Sequence, residues 1–234
     1  MDRQRLVVFS GAGISAESGL RTFRDSDGLW EQHRIEDVAT PEAWQRDPTI
    51  VLRFYDQRRA QVIAALPNPA HIAIAQLQKH FYVAVVTQNI DDLHERAGSE
   101  HVLHLHGEIL VARSTKDPDL VVRLEKPTIE IGDRCALGSQ LRPHIVWFGE
   151  AVPMMEPAID LIARADAVLV VGTSLNVYPA AGLIQYAPRY CPITLVDPAD
   201  VTLTRAGMTH IKAKASEGVP SLASEWMRKG SITA

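Results

Sequence analysis

A run of amides and a carboxylate, Gln88-Asn89-Ile90-Asp91, is followed closely by two histidines, His104 and His106. Amides and a carboxylate at the end of a buried strand are placed to hydrogen-bond a ligand that carries an amide and a ribose. The same residues also fit a plain Asn/Asp turn that caps a helix over 92–96. Strand alternation puts His104 and His106 on one face, with Leu103 and Leu105 on the other. His106, directly before Gly107, is the better candidate for a general base, because imidazole titrates near neutral pH. A satisfied structural role is the commoner outcome for a histidine taken alone, and a metal pair has no cysteine nearby to complete it.

A second chemical feature lies at the start of the chain. Gly11-Ala12-Gly13-Ile14-Ser15-Ala16 follows the apolar run Leu6-Val7-Val8-Phe9, as in the phosphate-binding corner of a dinucleotide fold. Gly11 suits the tight turn, Gly13 lets backbone amides approach a pyrophosphate, and Ala16 is small enough for close helix–strand packing. The acidic residue expected about 20 positions on is missing. The chain continues instead through Leu20-Arg21-Thr22-Phe23-Arg24-Asp25 and Gly28-Leu29-Trp30, which reads as a loop. Further along, Gly172-Thr173-Ser174 follows another buried run and offers small hydroxyls and backbone amides. Trp147-Phe148-Gly149-Glu150 offers an aromatic wall ending in glycine, open to an extended peptide by strand addition. Core packing is the plainer reading of Trp147 and Phe148.

These groups need a scaffold, and the apolar pattern supplies one. Five short β-branched runs, at 6–9, 82–86, 102–105, 167–171 and 193–196, lack polar alternation, as strands covered on both faces do. Helical patterns over 69–79, 157–165 and 221–228 alternate with them. The expected fold is α/β: a Rossmann-like, mostly parallel sheet with helices on both faces, built from about 1–20, 69–111 and 143–234. Two insertions, about 21–68 and 112–142, form a smaller module, the first mainly helical and the second a small β-unit around Leu120–Leu124 and Thr128–Ile131. A formal net charge of −4 argues against a nucleic-acid partner. No apolar run reaches the roughly 18 residues that span a bilayer, and the chain reads as having no signal peptide. Two cysteines, Cys135 and Cys191, make no disulfide framework, so a cytoplasmic setting is expected.

In this order, the motifs Gly11–Arg24, Gln88–Asp91, His104–Gly107, Pro143–Glu150 and Gly172–Ser174 resemble the sirtuin family of NAD-dependent protein-lysine deacylases. The resemblance runs from Leu6 to about Trp226. It implies that NAD is held by Gly11, Ala12, Gly13, Ser15, Ala16, Thr22, Phe23, Arg24, Gln88, Ile90, Gly172, Thr173 and Ser174. It further implies that Asn89 and Asp91 organise the ribose and nicotinamide pocket, and that His106 is the general base. In the family's chemistry an acyl-lysine oxygen displaces nicotinamide from the ribose, and free lysine and an O-acyl-ADP-ribose result. NAD is consumed rather than reduced, and water must be kept out. Tyr55 and Arg58 are similar to the Tyr-x-x-Arg signature of the class III branch, which removes succinyl, malonyl and glutaryl groups. A spacing of three puts the two on one helix face, where Arg58 can grip a carboxylate bidentately. Ala39 matches a small residue that leaves room for a longer acyl chain, and Trp147, Phe148, Gly149 and Glu150 match the peptide cleft.

Two departures stand out. Relatives commonly hold zinc on four cysteines in the second insertion, where this chain has Cys135 alone and Ser114 near the start of the first missing pair. No metal is expected, and apolar burial of Leu120–Leu124 and Ile129–Ile131 is expected to hold the module together. On the adenosine side only Asp197 offers a polar side chain, with Ala215 as a further contact. The expected partners are acyl-lysine proteins or peptides, with no nucleic acid, no membrane and a monomeric chain. ADP-ribosyl transfer, NAD hydrolysis and a silent NAD or ADP-ribose sensor are the alternatives.

Overall fold

The computed structural model describes residues 3–20, 29–30, 33–173, 175, 178–201, 205 and 207–233. Eleven named strands occur among them, in chain order: β1 Arg5–Ser10, β2 Leu29–Trp30, β3 His33–Arg34, β4 Tyr82–Thr87, β5 Val102–His104, β6 Gly107–Ser114, β7 Val121–Arg123, β8 Leu141–Ile145, β9 Ala167–Val171, β10 Ile193–Val196 and β11 Met208–Ile211. The helices are α1 Ala12–Ala16, α2 Ile35–Val38, α3 Pro41–Arg46, α4 Pro48–Ala64, α5 Pro69–Leu77, α6 Leu93–Arg96, α7 Met155–Ala163 and α8 Ala215–Lys229. A 3-10 segment covers Ala180–Tyr186.

Six strands form a parallel sheet in the order β11-β10-β9-β1-β4-β5. The chain builds outward from β1 in one direction through β4 and β5. It then returns to the other side of β1 and builds through β9, β10 and β11. The order therefore reverses between β1 and β9, the point where ligands bind in open α/β sheets, beyond the carboxyl ends of the strands.

The absence of polar alternation in β1 has a direct cause. Leu6 and Val8 pack on one face against Ala70, Ile74 and Leu77 of α5 and Val219 and Trp226 of α8. Val7 and Phe9 pack on the other against Ala158 and Ile162 of α7 and the 3-10 segment. Helix α5 is positioned by its start: Asn68 accepts from the Ala70 amide, His71 Nδ1 accepts from the Asn68 amide, and Pro69 follows.

The sixth strand, β11, was not among the five expected. Met208-Thr209-His210-Ile211 is short and half polar, and among the described residues it pairs with β10 alone, at the sheet edge. Helix α8 also begins six residues before the expected start, at Ala215, and carries Pro220 inside it.

The smaller module carries a three-stranded antiparallel sheet, order β7-β6-β8, with α2, α3 and α4 beside it. That sheet starts at Gly107 and ends at Ile145, so it extends beyond the expected insertion at both ends. Gly107 has φ +81, and a Cβ there would lie 2.0 Å from the His144 carbonyl oxygen. Only glycine lets β8 come this close to the strand that follows His106.

Apolar burial accounts for part of the module's cohesion, as expected, with Ile129 buried and Leu120 and Leu124 packed against Leu52 and Leu141. Val121, Val122 and Ile131 are exposed, which corrects the rest of that expectation. A buried ionic contact does the remaining work. Arg59 of α4, fully buried, donates from Nε to the Ile109 carbonyl at 2.7 Å and from Nη1 to the Pro127 carbonyl at 2.9 Å. It also pairs with Asp56 at 2.5 Å, and Asp56 accepts from the Ile129 amide at 3.1 Å. One side-chain pair thus fastens β6 and the 127–129 segment to α4.

Candidate active site

The sheet's carboxyl edge and the smaller module enclose a cleft of about 650 Å³. Its floor is the glycine corner. The Gly11 amide donates to the Val171 carbonyl at 3.0 Å and the Gly13 amide to the Gly172 carbonyl at 2.8 Å, joining the ends of β1 and β9. A Cβ on Gly13 would lie 2.7 Å from Gly172 Cα. The close packing expected from Ala16 is made by this glycine pair instead, since Ala16 itself is exposed.

Behind the corner, Asn89 Nδ2 donates to the Gly11 carbonyl at 3.2 Å and to Ser15 Oγ at 3.0 Å. Ser15 Oγ in turn donates to Asp91 Oδ2 at 2.9 Å, and Asp91 Oδ1 accepts from the Leu93 amide. A single hydroxyl therefore couples the two residues of the Gln88–Asp91 motif to α1. Burial pushes the Asp91 carboxyl up from the ordinary range, against the pull of these hydrogen bonds. Of the plainer reading, the Asx turn holds, because Asp91 Oδ1 accepts from the Leu93 amide while its other oxygen faces Ser15; the N-cap of α6 is Asp92, whose side chain makes no cap hydrogen bond.

The two histidines take different roles. His106 sits in the turn after β5, where Nδ1–H donates to the Gln88 carbonyl at 2.9 Å. A carbonyl can only accept, so the neutral ring carries its proton on Nδ1 and its lone pair on Nε2. His106 lines the cleft, and Nε2 has no hydrogen-bond partner among the described residues. Burial lowers its pKa, which keeps the base neutral at pH 7, with the Gln88 contact opposing. His104 instead uses both nitrogens, toward the Asn89 carbonyl and Glu95.

The module supplies the outer wall. Tyr55 and Arg58, one helical turn apart on α4, both line the cleft, and both are buried. Burial pushes the pKa of the Tyr55 hydroxyl well up, against the smaller pull of Trp147 and Arg142 nearby, so the phenol stays neutral. Arg58 Nη1 donates to Gln61 Oε1 at 3.2 Å. Ala39 borders the same space, and its carbonyl accepts from the Phe148 amide at 3.0 Å.

Glu150 lines the cleft but its carboxylate is engaged: it accepts from Arg142 at 2.7 and 3.1 Å, from Arg113 and from the Trp147 amide. The Arg142 guanidinium also stacks 3.2 Å from the Trp147 ring centre. Glu150 thus shapes the Trp147-Phe148-Gly149 turn and leaves Phe148 exposed at its rim.

Of the other expected residues, Gly11, Ala12, Gly13, Ser15, Gln88, Ile90, Gly172 and Thr173 line the cleft. Gln88 Nε2 donates to Thr173 Oγ1 across the switch point at 3.1 Å. Ala16, Asp197 and Ala215 do not line it. Asp197 and Ala215 are buried, and the Asp197 carboxylate accepts from the Ala199 amide. Thr22, Phe23, Arg24 and Ser174 lie outside the described residues. Ile35, Val62 and Val152 join the walls unforeseen. The Tyr55, Arg58, Val62 spacing of three and four is a helix-face signal that could have added Val62. Among the described residues no group of three or more His, Cys, Asp or Glu is placed to hold a metal ion. Cys135 Sγ lies 3.0 Å from Ser139 Oγ, which contacts Ser114 Oγ at 2.7 Å.

A doubly wound sheet with a glycine corner at its switch point, facing a neutral, half-buried imidazole, defines a nucleotide-binding α/β protein with an enzyme-like cleft. The sequence pattern of the Sir2 family matches residues 11–179. An NAD-dependent protein deacylase of Bacteroides thetaiotaomicron is 49% identical over 225 residues, covering 94% of this chain and 96% of the relative. One from Helicobacter pylori is 56% identical over 195 residues, covering 83% and 85%. A crystal structure of a Sir2 homologue in complex with NAD superposes with a TM-score of 0.87 at 39% identity, over 98% of this chain and 91% of that one. The chain belongs to the Sir2 family, as the order of its motifs implied.

Proposed function

We propose that this protein is an NAD-dependent protein-lysine deacylase that prefers acyl groups ending in a carboxylate. The observation that carries the reading is that one cleft holds the glycine corner, a neutral His106 and the Tyr55/Arg58 pair. The residues fit NAD: Gly11, Gly13 and Gly172 leave the corner bare where a Cβ would collide with backbone, which suits a pyrophosphate held by main-chain amides. The names of the deacylase relatives support the same cofactor.

Bound NAD supplies a ribosyl carbon with nicotinamide as leaving group, so the reaction requires no hydride acceptor. Gln88 and Thr173 would hold the cofactor across β4 and β9, while Asn89 and Asp91, locked through Ser15, would orient its ribose and carboxamide. His106 Nε2 would take the proton from a ribose hydroxyl, and the Nδ1 contact to Gln88 keeps that lone pair aimed and steadies the ring when it charges. The acyl-lysine would enter between Ala39 and Phe148, where the apolar walls formed by Ile35, Val62 and Ile145 exclude water.

Arg58 would bind the distal carboxylate of a succinyl or malonyl group, with the neutral Tyr55 hydroxyl donating beside it. Arg58→Met is therefore expected to lower kcat/KM for a succinyl-lysine peptide by about 100-fold or more, and to leave an acetyl-lysine peptide within a few-fold. Mass spectrometry of both peptides with NAD reads the ratio. Equal losses on the two would remove the acidic preference, and NAD cleavage without any acyl peptide would favour hydrolysis. The reading also places the protein among zinc-free members, because Arg59 and Asp56 hold the module that cysteines hold elsewhere. Stoichiometric zinc in the purified protein would overturn that.

A further inference from the structure

We infer that His104 is a positioning residue for the catalytic turn, an imidazolium that ties the Asn89 carbonyl to Glu95 and thereby sets the arm bearing Asn89 and Asp91. The inference deepens the function proposed above and rests on it. It starts from the valence of the two contacts. His104 Nδ1 lies 3.0 Å from the Asn89 carbonyl oxygen, and Nε2 lies 2.6 Å from Glu95 Oε1. A carbonyl and a carboxylate are both acceptors, so both ring nitrogens must carry hydrogen. His106 faces one carbonyl and keeps a lone pair; His104 faces two acceptors and keeps none. The side chain of His104 is 8% exposed, so this charge is held within the protein rather than in water.

The groups around the ring favour the charge. Glu95 comes from α6, Glu108 from β6 and Asp91 from the turn itself, while His94 of α6 and His144 of β8 are held neutral by burial. Burial opposes ionisation of both His104 and Glu95, but their mutual contact outweighs it, raising the histidine and lowering the glutamate.

The positional consequence is specific. His106 holds the Gln88 carbonyl and His104 holds the next one, at Asn89, so two adjacent peptide groups are fixed from two neighbouring side chains. When His104 loses its proton, one of its two contacts must fail. The charged form is present below its folded pKa, and the hold is lost as pH rises through that value. His106 has the opposite requirement, because it must be neutral to act. The acid limb of the pH profile then belongs to His106 and an alkaline limb to His104.

The test is the pH profile of kcat/KM for NAD at saturating acyl-lysine peptide, with imidazole nitrogen NMR of His104 over the same range. Glu95→Gln is expected to move the alkaline limb, and the His104 titration, to lower pH while the acid limb stays in place. His104→Gln, which keeps a neutral amide donor but has no titratable proton, is expected to abolish that limb and lower the plateau about tenfold, the loss of one charge-assisted hydrogen bond. An unmoved limb in both variants, or losses equal at every pH, would overturn the inference. If the wild type turns over no acyl peptide, the function proposed above falls instead. The same series read as ADP-ribose affinity by calorimetry then decides His104: pH-dependent affinity that vanishes in His104→Gln sustains it, and indifference overturns it.

Discussion

A methyl group on Gly172 would lie 2.2 Å from the Ile14 amide nitrogen and 2.6 Å from the Gly13 carbonyl carbon, at φ +61. All of the nearest atoms are backbone of Gly13 and Ile14, so no side chain can move aside to relieve it. Gly172→Ala is expected to cost about 1–3 kcal/mol of stability and to weaken NAD binding at least tenfold by forcing β1 and β9 apart. Urea unfolding and calorimetry check the two. Gly19→Ala is the control: it shares a positive φ, but nothing lies within 4 Å of its Cβ. At this scale the sequence was legible where spacing alone decides the outcome, as with Tyr55 and Arg58 on one helix face. It picked out His106 as the base but gave His104 no role. The two rings look equivalent in a strand pattern, and only the atoms facing their second nitrogens separate an imidazolium tie from a base.

Helix α4 works on two faces at once, which is why its apolar residues form no clean stripe. Tyr55, Arg58 and Val62 face the cleft, whereas Asp56 and Arg59 face the module. Asp47 starts the helix, accepting from the Thr49 and Ile50 amides before Pro48 directs the first turn. Arg59→Met would leave the Ile109 and Pro127 carbonyls without this donor and the Asp56 carboxylate without its cation. Removing one partner of a buried pair leaves the other charge uncompensated, so a loss of about 3–5 kcal/mol is expected. Denaturant unfolding measures it, and Asp56→Asn/Arg59→Met should lose less than the sum of the singles. A sequence does not announce such an element. Arg59 reads as a solvated helix charge, and its partners at 109, 127 and 129 are distant in the chain. Strand β11 escaped notice for a related reason: its pairing with β10, rather than its composition, makes it a strand.

Across the whole molecule, the sheet, the corner and α6 meet at a buried histidine pair that ties stability to pH. His71 and His94 pack edge to face at 4.9 Å, and His94 Nε2 contacts Ser10 Oγ at the end of β1. Burial pulls His71 down to about 4, with Arg96 adding to it, and holds His94 well below its ordinary value. The unfolded chain takes up these protons near about pH 6.5, whereas the folded chain refuses them until much lower pH. Between those values the unfolded state binds more protons, so stability rises with pH and is lost as pH falls. The paired carboxylate Glu150, also held low by Arg142, adds its loss only below the ordinary glutamate range. Unfolding free energy is therefore expected to decline from about pH 6.5 toward about 4, ahead of the carboxylate phase. His71→Gln keeps an acceptor for the Asn68 amide but takes up no proton. It should flatten the slope by up to about 1.4 kcal/mol per pH unit, one proton's worth. A slope unchanged by His71→Gln would place the acid sensitivity elsewhere. The same core that keeps His71 and His94 neutral keeps His106 neutral beside the cleft, so conditions that charge the buried pair unfold the scaffold that holds the base.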